Sequence, residues 1–319
     1  MVDDAPLGVI ETLTEGFATL NKRLWLFLIP VVLDLFLAFG PGISAAPLTD
    51  TVVTWFQSVP STGDPQADQE LLTNKDSIAT TLRDTNFVTL TAWQLSSLVA
   101  ATSAGDLQGR QTIQVSSFGE LSLLVLGVMT IGLLMASFYL GGIAGALRDE
   151  PLSSAYVTKS MVGWLRYMLL FALMIAVLFP LSLTMLVMAQ LVGLVAAGVG
   201  VFIGTVFISV CLAAGFYMTF AKDAIFVAEV NPIRAIWYSF QVVRRSFWQA
   251  VLLIVLITVI LFGLRIPLKA VVAQPVGLIG AVGAYAYIAT GLSIGTMLFF
   301  RQRLLKWQAE PNNPQLTSV

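Results

Sequence analysis

Residues 121–147 read LSLLVLGVMTIGLLMASFYLGGIAGAL, twenty-seven consecutive positions without a charged side chain. A helix rises 1.5 Å per residue, so about 20 such residues cross the hydrocarbon core of a bilayer. Five further apolar runs lie on either side of this one, at 24–40, 167–189, 191–220, 250–264 and 276–300. Together they predict an all-α integral membrane protein with about six transmembrane helices. The runs at 167–189 and 191–220 adjoin at Gln190, which predicts a tight hairpin capped or turned at that residue.

Composition supports this class and narrows the chemistry. Of 319 residues 57% are apolar and 11% charged, against about a quarter charged in an average soluble domain. The net charge of -1 gives no global basic field, so nucleic acid is not an expected partner. There is no histidine, which removes the usual general base, the commonest metal ligand and the usual haem ligand. The single cysteine, Cys211, lies in an apolar run, so neither an internal disulfide nor a thiolate cluster is possible. No metal site and no cofactor are expected, and no phosphate loop, dinucleotide fingerprint or calcium loop occurs.

Lys and Arg are unequally distributed between the two sides that six spans would create. Lys22, Arg23, Arg148, Lys159, Arg166, Lys222, Arg234, Arg244, Arg245, Arg301, Arg303 and Lys306 fall on one side, twelve in all, and Lys75, Arg83, Arg110, Arg265 and Lys269 on the other. The positive-inside rule then puts both termini in the cytoplasm of a bacterial-type plasma membrane. The first run is expected to be a retained span, because the segment before it is long and carries Asp3, Asp4, Glu11 and Glu15, unlike a signal n-region.

The resulting plan has an interfacial helix and first span at 1–42, an external, mildly acidic domain at 43–119, a five-span bundle at 120–300 and a cytoplasmic tail at 301–319. In the external domain 52–56 and 87–99 read as short helices and 61–65 as a turn. So small a unit needs the membrane part or a partner to fold.

Three segments share one pattern: Pro and an apolar residue, an amphipathic helix, basic residues, an aromatic, then a span. They open at Pro6-Leu7, Pro151-Leu152 and Pro232-Ile233. Leu7, Ile10, Leu13, Phe17, Leu20 and Leu24 share one helical face, as do Ile233, Ile236, Trp237, Phe240, Val243 and Phe247. The expectation is three repeats of interfacial helix plus helical hairpin, with further interfacial helices near 151–166 and 232–247. The second span of each pair carries Gly-x-x-x-Gly, at Gly141 and Gly145, Gly200 and Gly204, and Gly291 and Gly295. That spacing puts small residues on one face and lets helices pack closely.

Lys222-Asp223, Asn231-Pro232-Ile233-Arg234-Ala235 and Ser239 through Arg244-Arg245-Ser246-Phe247-Trp248 resemble the membrane-domain family associated with glycerophosphodiester phosphodiesterases and related bacterial multi-pass proteins. The resemblance covers residues 222–248. It implies only the membrane architecture, since catalysis in that family belongs to a separate soluble barrel.

Few residues offer chemistry. Gly291-Leu292-Ser293-Ile294-Gly295 fits the nucleophile-elbow pattern, but that motif needs a preceding strand and a base, so a packing role is expected and no catalytic residue is assigned. Asp34 interrupts the first span; it is either a cation- or proton-binding site or, preferably, a hydrogen-bonded packing carboxyl. Glu120, Arg265 and Lys269 read as interfacial. Arg234, Arg244 and Arg245, with Trp237 and Trp248, are expected to contact anionic headgroups. The expected function is non-enzymatic, a scaffold or accessory subunit with membrane lipids and a protein partner or second copy as partners. The alternative is a transporter of a lipid or small solute.

Overall fold

The computed structural model describes residues 7–58, 65–102, 111–272 and 275–309. The protein is 85% helical. Among the described residues five helices are long and apolar enough to cross a membrane: Phe118–Leu147, Ser154–Gly193, Gly198–Val227, Phe247–Val271 and Val276–Gln308. The remaining run, 24–40, is shorter, forming a 3-10 turn, Leu24–Phe27, and then α2, Leu28–Phe39, after α1, Val9–Lys22. The amide of Gly8 donates to Glu11 Oε2 at 3.0 Å and so anchors the start of α1, relieving one of the orphan donors of a helix N-terminus.

Between the short run and α6, Phe118–Leu147, lies the polar region. It holds α3, Leu48–Ser58, α4, Pro65–Asp84, a 3-10 turn, Phe87–Ala92, and α5, Leu98–Thr102. The expected turn at 61–65 lies outside the described residues except for Pro65, which opens α4. Two strands modify the all-α expectation: β1, Gly42–Ser44, pairs in parallel with β2, Thr112–Gln114. Asn86 joins this ribbon to the 3-10 turn by accepting from the amides of Ile43 at 3.1 Å and Val88 at 3.2 Å.

The expectation for residues 151–195 needs correction. A single helix, α7, Ser154–Val195, runs for 42 residues, so the interfacial segment 151–166 is fused to its span. Gln190 does not turn the chain, because glutamine is a good helix former, and α7 continues to Val195. The break falls at Ala196, with φ -149° and ψ 91°, before α8, Ala197–Met218. There an added Cβ on Gly200 would meet the carbonyl of Ala189 and the Cα of Gly193 at 2.7 Å. The side chain of Gln190 lies outside the described residues. In the other two segments the interfacial helix does end, at Arg23 with φ -141° and at Ser246 with φ -124°. No comparable break separates Arg166 from Tyr167.

α9, Ala221–Val227, α10, Pro232–Arg245, α11, Phe247–Val271, and α12, Pro275–Gln308, are the remaining elements among the described residues. By packing it divides into two units, Met1–Leu26 with Ser137–Ile260 and Thr290–Val319, and Phe27–Ala136 with Leu261–Ala289. In the first, Phe220 stacks on Phe299 and Phe300 at ring distances of 5.7 and 6.1 Å, with Leu20, Leu26, Ile143 and Ile225 buried as well. In the second, Leu33, Leu48, Leu98 and Tyr285 are buried. This unit contains both the polar region and α2.

Candidate functional site

Two groups of charged residues stand out in the first unit. One holds the linkers that follow α6 and α9. Arg148 meets Glu150 at 2.9 Å and Glu229 at 3.3 Å, and Lys159 meets the same two carboxylates at 2.8 and 3.4 Å, closing a ring of four charges. The Lys159 ammonium, and after it Arg148, hold the Glu150 carboxyl below its ordinary range. Asp149 and Glu229 adopt positive φ, 55° and 52°, a left-handed conformation unusual for a side chain as long as glutamate. Arginines also clamp these linkers through the backbone. Arg23 donates to the carbonyl of Glu150 at 2.6 Å, Arg148 to that of Phe226 at 3.1 Å, Arg166 to that of Glu229 at 2.5 Å and Arg301 to that of Leu147. Each serves a carbonyl at or just past a helix C-terminus, where acceptors lack intrahelical donors.

The second group lines a cleft of about 590 Å³ at the junction of α10 and α11 with the end of α12. Its walls include Arg245, Trp248, Gln249, Arg303, Lys306 and Trp307. Arg303 is 5% exposed, donating to Gln249 Oε1 at 3.0 Å and to the carbonyl of Leu7 at 3.1 Å. The guanidinium of Arg245 lies 5.8 Å from the Trp307 ring.

Of the predicted headgroup contacts, the cleft thus gathers Arg245 and Trp248 but not Arg234, Arg244 or Trp237. Those three are exposed on α10. The face of α10 read as one apolar stripe is split: Val243 is buried, whereas Ile233 is 74% and Trp237 48% exposed. Burial follows Ala235, Tyr238, Ser239 and Val242 instead. Ser239 stitches α10 to the α8–α9 junction, donating to the carbonyl of Tyr217 at 2.7 Å and accepting from the amide of Phe220 at 3.1 Å.

Asp34 is fully buried, accepting from the Ser97 hydroxyl and from the amide of Leu98 at 3.0 Å. A carboxylate on α2 thereby caps the N-terminus of α5, where a negative charge is favoured. The glycine pairs differ. Gly291 and Gly295 face α1, where an added Cβ on Gly16 would meet Gly291 O and Gly295 N at 2.7 Å. An added Cβ on Gly141 would meet Ser160 Oγ at 2.6 Å, while one on Gly145 or Gly204 would meet nothing within 4 Å. Close packing therefore does not run along all three motifs. Ser293 lies inside continuous α12, not at a strand-to-helix turn. Among the described residues no three His, Cys, Asp or Glu side chains cluster so as to hold a metal ion.

Comparison with protein-family models, curated proteins and solved structures finds no match. The likeness noted over 222–248 therefore rests on those residues alone. Two features escaped sequence reasoning. Asp223 is a buried carboxyl in α9, its Oδ2 without a hydrogen-bond partner among the described residues; an acid beside Lys222 at the end of an apolar run gives no sign of burial. Arg303, Lys306 and Trp307 do carry a signal, since spacing i, i+3, i+4 puts them on one helix face.

Proposed function

We propose that the protein is a non-enzymatic, multi-pass protein of the bacterial plasma membrane, serving as scaffold or accessory subunit of a larger membrane assembly. The carrying observation is sparse burial. In their most apolar windows Ser154–Gly193, Gly198–Val227 and Phe247–Val271 each bury 6% of their residues, against 50% for Val276–Gln308. A helix docked on a compact body hides a stripe at least about 100° wide, over a quarter of its circumference. Three of the long helices fall well short, which leaves their sides to lipid and to the helices of a partner or second copy.

In this reading the short run 24–40 is the first of six spans, the three repeats survive with the middle one fused, and both termini are cytoplasmic. The packing division, which takes no account of charge, supports that orientation. All twelve basic residues assigned to the cytoplasmic side fall within the first unit, and the four described residues of the other set, Lys75, Arg83, Arg265 and Lys269, within the second. Transport of a lipid or small solute is the second reading; its usual mark is interrupted helices, and Pro180 within α7 and Pro267 within α11 each remove a backbone donor there, although both helices run on through them. Native mass spectrometry after extraction in mild detergent separates the two. The scaffold reading expects a complex of fixed stoichiometry heavier than the 34.4 kDa chain; a monomer carrying only lipid would overturn it.

A further inference from the structure

The cleft between α10, α11 and the end of α12 carries more positive charge than packing requires. Arg303 is buried, yet its hydrogen-bond acceptors are the neutral oxygens of Gln249, Leu7 and Phe299. Among the described residues no carboxylate lies within 4.0 Å of Arg303 or Lys306. A desolvated cation without a counter-charge is costly. Arg245 and Lys306 line the same cleft, and none of its lining residues is acidic. The first turn of α11 opens there too. Its first intrahelical-type bond runs from the amide of Ala250 to the carbonyl of Ser246, so the amides of 247–249 precede the helix ladder and are oriented as an anion-binding helix start.

We propose that this cleft seats the phosphate of an anionic phospholipid headgroup. Arg303, Arg245 and Lys306 supply the charge, with guanidinium forks suited to phosphate oxygens, and the start of α11 supplies amide donors. Phosphate chemistry alone would admit a soluble phosphate. The lipid source follows from the surroundings: Trp248, 79% exposed, and the exposed Phe247 flank the cleft, at the end of an apolar helix long enough to cross a membrane. Amphipathic aromatic rings favour that headgroup level. This goes beyond the scaffold reading and does not depend on it.

The test uses the full chain in nanodiscs of phosphatidylcholine with a minor fraction of phosphatidylglycerol, the lipid retained on mild re-extraction being measured by mass spectrometry. The wild-type chain should be enriched in phosphatidylglycerol. Arg245→Gln with Lys306→Gln, both on exposed residues, should weaken that enrichment by about tenfold or more. Arg234→Gln with Arg244→Gln, on the same helix but outside the cleft, should leave it within about twofold, since two surface charges at a distance are screened. Equal loss in both pairs, or no enrichment in the wild type, overturns the proposal. Equilibrium dialysis against inorganic phosphate in neutral detergent tests the source. Binding only in the millimolar range is expected, and micromolar binding abolished by the cleft pair would overturn the lipid assignment.

Discussion

Replacing Gly16 by alanine tests whether α1 and α12 are held by backbone contact. The new Cβ would lie 2.7 Å from Gly291 O and Gly295 N and 2.9 Å from Gly295 Cα. These are backbone atoms and cannot rotate aside. Ordinary contact begins at 3.4 Å, so the helices must yield 0.7 Å. A gap of that size forfeits about a quarter to a half of the dispersion attraction of the separated atoms, and in lipid such packing is the main force joining helices. Overpacking of this kind costs about 1–3 kcal/mol, partly offset by alanine's advantage of about 0.5–1 kcal/mol in a helix interior. The mid-range values leave a net loss of about 1 kcal/mol, and the largest about 2.5 kcal/mol. Gly204→Ala is the control: nothing lies within 4 Å of its added Cβ, so only the propensity gain remains and stability should hold or rise. Thermal unfolding in one detergent, followed by circular dichroism, reads both variants. Gly16→Ala as stable as wild type, or the two glycines responding alike, would refute the reasoning.

Three further outcomes are expected. Asp34→Ala leaves the Ser97 hydroxyl and the Leu98 amide without their acceptor and should cost about 1–3 kcal/mol, while Asp34→Asn, which can accept from one and donate to the other, should lose less in the same melt; equal losses would remove the capping role. Because the Glu150 carboxyl is held below its ordinary range, its contribution is complete above that range and is lost as pH falls through the depressed value. The difference in stability between wild type and Glu150→Gln should therefore be constant from neutral pH to about pH 5 and then shrink by an amount typical of exposed pairs, about 1 kcal/mol or less, in paired melts across pH. In a Cys211→Ala background an impermeant thiol reagent should label Thr73→Cys from outside intact cells and Thr158→Cys only after lysis; the reverse pattern would invert the topology.

How much of this was legible depended on whether the signal was local. Apolar length alone located the long helices, since 121–147 carries no charged side chain. Helix α4 was not read from sequence: Pro65–Asp84 is mostly polar, and the sparse face of Ala67, Leu71, Ile78 and Leu82 is broken by Asn74 and Lys75, too weak a stripe to tell a surface helix from a loop. The division at Arg166 was over-read, because one pattern applied to three segments cannot register that the middle one lacks a breaker. The four-charge ring was beyond reach, as Arg148 and Glu229 lie far apart in the chain and meet only through folding. Asp149 lies in a conformation that aspartate adopts more readily than most residues, yet Glu229 shares it without that excuse. The cap on α5 shows the same limit: Asp34 was visible as an intramembrane acid, but its partners Ser97 and Leu98 belong to a region that sequence placed in a different domain.

The arginines that clamp the linkers also belong to the set that the insertion machinery reads as charge. Insertion needs only a positive group and does not distinguish lysine from arginine, whereas a carbonyl held at 2.5 to 3.1 Å by a planar fork does. The two demands act at different times, the first while the chain is being threaded and the second once it has folded. After folding, Arg23, Arg148, Arg166 and Arg301 are committed to backbone oxygens, so the orientation chosen at synthesis is locked by contacts rather than by the field that chose it. Lysine at those four positions would therefore produce a chain inserted the right way round whose joints are loose, separating the address of the protein from its architecture.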